Sequence, residues 1–464
     1  MRVERDTLGE VRVPDDALWG AQTQRAVENY PISGLREHPV FVRSFIQLKK
    51  AAALANKELK AMEPKLADAI VAACDELLRH EANYRDQFVV DVFQAGAGTS
   101  FNMNVNEVIA NLANRSLGGK LGEYKPIHPN DHVNMAQSTN DVFPTAIRVA
   151  ATALLQEFWP EIDRLADAFD ERGNAFAGVI KSGRTHLQDA VPVTLGQEFK
   201  AYAAATRRAT RLMRDAAKEL LVLAIGGTAA GTGINTPRGY RFVVIKHLNT
   251  MAGLQFTSQE DLREGMQSQL PLSAVSGAYR NLALELTRIT NDLRLLASGP
   301  QTGLAEIILP AVQPGSSIMP GKVNPSMLEC MNQVLFHIIG SDTAIALAVQ
   351  AGQLDLNVMM PLMAYELLFS IEILKNFLPV FVEKCIAGIE ADREQCEAYY
   401  ISSPSLATAL NPLIGYARAA EIAKESAKSG KPIPQLLREK NILSEEEIAR
   451  IFTPEFLAGQ ADRA

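Results

Sequence analysis

The sequence predicts a mostly α-helical fold with about five long helices between residues 140 and 390, and the pattern of its apolar residues is the reason. Within 272–297, Val275, Tyr279, Leu282, Leu286, Ile289, Leu293 and Leu296 recur at alternating steps of four and three, the seam of a helix packed along its neighbours. Ala283, Leu284 and Leu295 make the flanks of that seam apolar as well, which places the helix inside a bundle and suggests a subunit contact. Similar periodicity runs through 143–170, 193–225, 326–349 and 361–389.

The segments on either side are more broken. They suggest a mixed, mostly helical N-terminal domain (1–139), a central long-helix domain (140–394) and a small helical C-terminal domain (395–464). No internal repeat or low-complexity stretch stands out.

A chain of 464 residues, 47% hydrophobic and 21% charged, can bury a large core. Its net charge of −7 and the absence of a Lys/Arg run argue against nucleic acid as a partner and for small molecules. Cys74, Cys330, Cys385 and Cys396 are scattered without a CxxC pair, so neither a disulfide framework nor a thiolate metal site is suggested, and the histidines lack HExxH spacing; no metal and no cofactor are expected. The charged N-terminus has no signal-like stretch, and the longest uncharged run, 220–237, is rich in Gly and Thr. A cytoplasmic protein with no membrane partner is the expectation.

Polar punctuation falls in four places. GAGTSFNMNVNEVIANLA (96–113), HPNDHVNMAQSTNDVFPTAIRVA (128–150), KSGRTHLQDAVPVTLGQEF (181–199) and PGSSIMPGKVNP (314–325) each set Ser, Thr or Asn in a turn ahead of a helix. Pro144, Pro192 and Pro325 occupy positions that a first helical turn tolerates, with Asn324 then Pro325 as N-cap and N1. Capping alone accounts for any one such turn. Several helix N-termini aimed at one place would bind carboxylates, and these turns also carry Arg184, His186 and Lys322.

That inventory suits one chemistry. Removing a proton from carbon beside a carboxylate creates an electron-rich dianion, which needs fixed donors and a cation. Thr99, Ser138, Thr139, Asn140, Thr185, Asn324 and Lys322 offer them, and the glycine-flanked loop at 315–321 could close over a substrate. A serine in that loop can be a base if neighbouring N–H groups stabilise its oxyanion. Nucleophilic serine catalysis lacks its GxSxG elbow here.

GSSIMPGKVNP resembles the signature of the aspartase/fumarase superfamily, and GAGTSFNMNVNEVIAN, HPNDHVNMAQSTND, GRTHLQD and GGTAAGTGINT match its other blocks in the same order. The resemblance implies a three-domain, mostly α fold, a homotetramer whose central five-helix bundles join into a twenty-helix core, and active sites built from three subunits. It further implies a lyase that forms fumarate by anti elimination through an aci-carboxylate intermediate.

Carried over by position, Ser316 matches the catalytic base, Lys322 and Asn324 the ligands of the substrate carboxylate, and Thr99, Ser138, Thr139, Asn140 and Thr185 substrate-binding positions. His186 matches the histidine near the leaving group, and Glu329 the glutamate that pairs with it. His128, Asn130 and Asp131 match a secondary anion site, although a turn explains HPND equally well. Ser100 and Ser317 read as cap or loop residues, His80, His247 and His337 as ordinary helix residues, and GGTAAGTG lacks the GK[ST] ending of a phosphate loop.

LWGAQTQR and IGGTAAGTGINT look fumarase-like, whereas GAGTS, QSTND and AGQLDLNVMMP look aspartase-like and lie in or beside the substrate turns. The expectation is therefore ammonia elimination from L-aspartate, with fumarate hydratase chemistry on L-malate as the alternative. A non-catalytic role like that of the lens crystallins is disfavoured by retention of Ser316, Lys322, Asn324 and His186.

Overall fold

The computed structural model describes residues 1–458, so residues 459–464 of the expected C-terminal segment lie outside it. Of the described residues, 64% are helical. It opens with the hairpin β1 (Arg2–Asp6) and β2 (Gly9–Val13), then α1 (Ala21–Asn29), α2 (Pro39–Glu58), α3 (Pro64–Arg79) and α4 (Thr99–Ser116). Five long helices follow: α5 (Thr139–Ala175), α6 (Leu195–Ala217), α7 (Leu270–Leu296), α8 (Ser326–Gln350) and α9 (Met360–Lys384). Between α5 and α6 lies the antiparallel hairpin β3 (Ile180–Thr185) and β4 (Gln188–Thr194).

The described residues divide into two compact units, 1–159 with 211–281 and 336–374, and 160–210 with 282–335 and 375–458. In the first, Tyr279 of α7 meets Phe158 of α5 edge-on at 5.6 Å and donates its hydroxyl to the Ser370 carbonyl of α9 at 3.3 Å. Ser276 of α7 donates to Asp342 of α8 at 2.7 Å. In the second, Phe169 of α5 packs on Phe199 and Tyr202 of α6, and Asn332 of α8 bonds Asn291 of α7 at 2.9 Å.

Every residue of the expected α7 seam is buried, Val275, Tyr279, Leu282, Leu286, Ile289, Leu293 and Leu296 alike. Leu284 and Leu295 on its flanks are exposed, so this chain covers only one face. The same division marks α8. Leu328, Met331, Leu335, Ile338 and Ile345 are buried, while Gln333, Phe336, His337, Gly340, Thr343 and Leu347 form an exposed stripe without a charged residue. By length and composition α8 is also apolar enough to cross a membrane.

Two expected helices end early. The run 193–225 stops at Ala217, because Val222 and Leu223 pair with Thr257 and Ser258 and the Val222 carbonyl takes the Arg148 guanidinium. The run 361–389 stops at Lys384, where Cys385 leaves helical backbone angles (φ −126°, ψ −74°). Cys74, Cys385 and Cys396 are buried, their thiols pushed up to about 12 by burial, whereas Cys330 on α8 is exposed.

Candidate functional site

In the first unit, two helix N-termini meet at a polar cavity. Ala97 (φ 61°) and Gly98 (φ 85°) turn the chain sharply into α4, whose first residue is Thr99. A side chain at 98 would strike the Phe143 ring of α5, its Cβ only 2.0 Å from the ring carbon Cε2, so glycine lets the two helix starts approach. At the start of α5, Ser138 donates its N–H to Asp141 at 3.0 Å, and its hydroxyl accepts from the Asn140 N–H at 3.3 Å.

Asp141 also accepts from Gly226 and Thr228 N–H at 3.0 and 2.9 Å, which fixes the glycine-rich loop over the helix start. Burial pushes its carboxyl up to about 6, against these donors. Asn140 donates its amide to the Ala229 carbonyl at 2.8 Å. The cavity, about 640 Å³, is lined by Thr99, Ser138, Thr139 and Asn140 together with Asn102, Asn134, Gln137 and Thr228. With hydroxyls, amides and the positive ends of two helices, it suits a carboxylate.

Beneath this lining lies a residue that the turn-based reading missed. Lys49 of α2 is fully buried, and its ammonium donates to Asn102 Oδ1, Asn134 Oδ1 and Gln137 Oε1 at 2.8, 2.9 and 3.0 Å. Burial pulls it down to about 7, while the negative charge of Asp141 acts to raise it. Its signal in the sequence is the i, i+4, i+8 series Phe41, Phe45, Lys49, a lysine on an otherwise apolar face.

In the second unit, 181–199 folds as a hairpin and then α6, not as a turn before a helix. Pro192 stands in β4, opposite Ser182 where the register shifts, a place for a residue without an N–H. His186 and Leu187 form the two-residue connection with φ 56° and 58°, the backbone of a tight hairpin turn, and Thr185 and His186 are both exposed. Behind the turn, buried Glu306 accepts from Arg184 at 2.9 Å and pairs with Lys181 at 3.2 Å. Lys181 also pairs with Glu198 at 2.8 Å, and the Arg184 guanidinium lies over the Tyr399 ring.

The 314–325 loop is tied at its base. Gly315 N–H donates to the Lys322 carbonyl at 2.8 Å, and Asn324 donates its amide to the Gly315 carbonyl at 2.6 Å. Asn324 therefore braces the loop and does not cap α8, which starts at Ser326 after Pro325. The Ser316 hydroxyl oxygen accepts from Ile318 and Met319 N–H at 3.2 and 3.0 Å. Lys322 is exposed, and Ser316, Asn324 and Glu329 are half-buried.

Within one chain, then, Thr99, Ser138, Thr139 and Asn140 share one cavity, whereas Ser316, Lys322 and Asn324 share a loop of the other unit and Thr185 and His186 a hairpin tip. Among the described residues no hydrogen bond or ion pair joins His186 to Glu329. Pro144 falls in the second turn of α5, beyond the first turn expected for it. His128 accepts from Asn130 and Asp131 N–H at 3.2 and 3.3 Å, and Asn130 also lines the cavity. His247 pairs with Glu58 at 2.8 Å, and Ser100 is buried within α4.

Residues 9–340 match the family described as Lyase, and residues 406–459 the one described as fumarase C C-terminus. The aspartate ammonia-lyase of Helicobacter pylori is 48% identical over 98% of this chain and 97% of its own length. A fumarate lyase:delta crystallin from Brucella melitensis, solved bound to cobalt, superposes with a TM-score of 0.94 at 47% identity over 98% of both chains. A recombinant class II fumarase from Schistosoma mansoni superposes with a TM-score of 0.93 at 35% identity over 99% of both. With this match along nearly its whole length, in sequence and in fold, the chain belongs to the aspartase/fumarase superfamily of lyases.

Proposed function

We propose that this protein is a carbon–nitrogen lyase that reversibly eliminates ammonia from L-aspartate to give fumarate. The observation that carries the reading is the carboxylate-suited cavity at two helix N-termini in a chain 48% identical to an aspartate ammonia-lyase. The class II fumarase at 35% identity stands further off.

In this reading Ser316 takes the proton from the carbon beside the departing amine's carbon. The two N–H groups on its oxygen support it as an alkoxide. Lys322 and Asn324 hold the substrate carboxylate that becomes the aci-carboxylate. Thr99, Ser138, Thr139, Asn140 and Thr185 bind the remaining polar groups, with His186 near the leaving ammonia and Glu329 pairing with His186.

One site then draws on several copies of the chain. A homotetramer is supported by the exposed, charge-free stripe of α8 and by exposed Leu284 and Leu295 of α7, apolar faces that other subunits would cover. For this role we keep three consecutive segments, 1–139, 140–394 and 395–464, the middle one supplying the subunit contact, and a cytoplasmic location.

The test is fumarate absorbance on adding L-aspartate or L-malate to purified protein. Rapid fumarate from aspartate and little from malate is the expected result. The reverse would make the protein a fumarate hydratase.

A further inference from the structure

The buried lysine beneath the cavity carries an inference that rests on the dicarboxylate reading and extends it. Three amide oxygens surround the Lys49 nitrogen at hydrogen-bond distance. An ammonium has three N–H donors to meet them, whereas a neutral amine has two and would turn its lone pair on the third oxygen. The site is therefore built for the charged form.

Among the described residues no carboxylate lies within ion-pair distance of Lys49. The charged or titratable groups facing it are Asp141 at the start of α5 and the Cys74 thiol of α3, and Asp141 is itself engaged by three backbone N–H groups. A buried cation without a paired anion is costly, and an anion arriving in the adjoining cavity lowers that cost.

The hydrogen-bond directions show how the charge reaches the cavity. Lys49 donates to Asn102 Oδ1, and the same amide donates from Nδ2 to Thr139 Oγ1 at 2.9 Å. Thr139 is 8% exposed and lines the cavity. With its oxygen already accepting, the Thr139 hydroxyl is free to donate its own proton. Each bond in the chain points the same way, so each polarises the next.

We propose that Lys49 is a positioning residue for the substrate carboxylate, acting through Asn102 to make Thr139 a strong, correctly directed donor into the cavity. Lys49 does not touch the substrate. Its charge sets the polarity of the relay, and the substrate's negative charge in turn favours the ammonium.

The experiment is a double-mutant cycle on succinate binding, read by calorimetry on the full-length protein as it assembles. Lys49→Met replaces a buried charge with an apolar group of similar length and takes the donor from three amide oxygens, so its fold is checked by its melting curve before binding is read. Lys49→Gln is the neutral but hydrogen-bonding alternative should the methionine variant not fold. Asn102→Val cuts the relay while leaving Lys49 in place.

Each variant is expected to weaken succinate about tenfold or more. Combining any of them with Thr139→Val should weaken it no further than the single changes do, because all interrupt one relay. With L-aspartate, Lys49→Met should raise KM more than it lowers kcat. Unchanged succinate affinity in a folded Lys49 variant, or effects that simply add to that of Thr139→Val, would overturn the proposal. Wild-type protein that binds no succinate would overturn the dicarboxylate reading and this inference with it.

Discussion

The Ser316 hydroxyl oxygen sits 3.0 Å from the Met319 backbone nitrogen and accepts its N–H. With the Ile318 N–H on the same oxygen, the loop holds a partial positive environment where a serine would have to bear negative charge. Ser316→Ala should therefore lower the rate of fumarate formation from L-aspartate by about 10²–10⁴-fold, the range for removing a general base. Succinate should still bind, since the hydroxyl is not needed to hold a carboxylate. A mutant with near wild-type kcat would remove Ser316 from the base role.

Glu306 is the anionic centre for two cations, Lys181 and Arg184, and is wholly buried. Replacing it with glutamine leaves those charges facing a neutral group, with only Glu198 left to answer Lys181. Glu306→Gln should cost about 3–5 kcal/mol in denaturant unfolding. Arg184 adjoins Thr185 and His186, so KM for aspartate should rise in whatever protein folds.

Glu37 is buried and accepts a hydrogen bond from the Gln94 amide at 2.9 Å. Burial raises its carboxyl from the ordinary 4.5 to about 8, with Asp91 adding to the rise. The folded protein thus holds a proton that the unfolded chain releases. The stability this contributes is complete below about 4.5, falls as pH rises and is gone above about 8. Glu37→Gln, uncharged at every pH, should lose less melting temperature than wild type between pH 5 and pH 8.5. Parallel melting curves for the two proteins would contradict this.

Gly98 has both a left-handed φ of 85° and no room for a Cβ beside the Phe143 ring. Gly98→Ala must either push Phe143 away or shift the start of α4. We expect a loss of about 1–3 kcal/mol in unfolding free energy together with weaker succinate binding, because Thr99 is the next residue. A loss of stability without any loss of binding would separate the glycine from the cavity.

The long helices were legible because their apolar periodicity is strong: the α7 seam read from spacing is buried residue for residue. The polar turns were legible as cavity material for the same local reason, and Thr99, Ser138, Thr139 and Asn140 do line one cavity. The hairpin β3–β4 was hidden. Its inward positions include the polar residues Lys181 and Ser182, so no apolar alternation marks the strand. Lys49, Asp141 and Glu306 were missed because their importance comes from partners far along the chain, 53 residues away for Lys49 and Asn102 and 122 for Arg184 and Glu306. Asn324 does not cap because its side chain turns back across the loop to donate from Nδ2 to the Gly315 carbonyl, a contact that the local Asn-Pro pattern does not announce.

The four cysteines divide in a way that gives assembly a chemical clock. Cys330 lies exposed on α8, beside the uncovered stripe, while the other three are buried with their thiolates disfavoured. An alkylating reagent should therefore modify Cys330 in a lone chain and leave the others as a silent background. If neighbouring subunits close over α8, the same thiol becomes shielded. The rate of its alkylation on dilution would then report dissociation directly, in the natural sequence and without an engineered label.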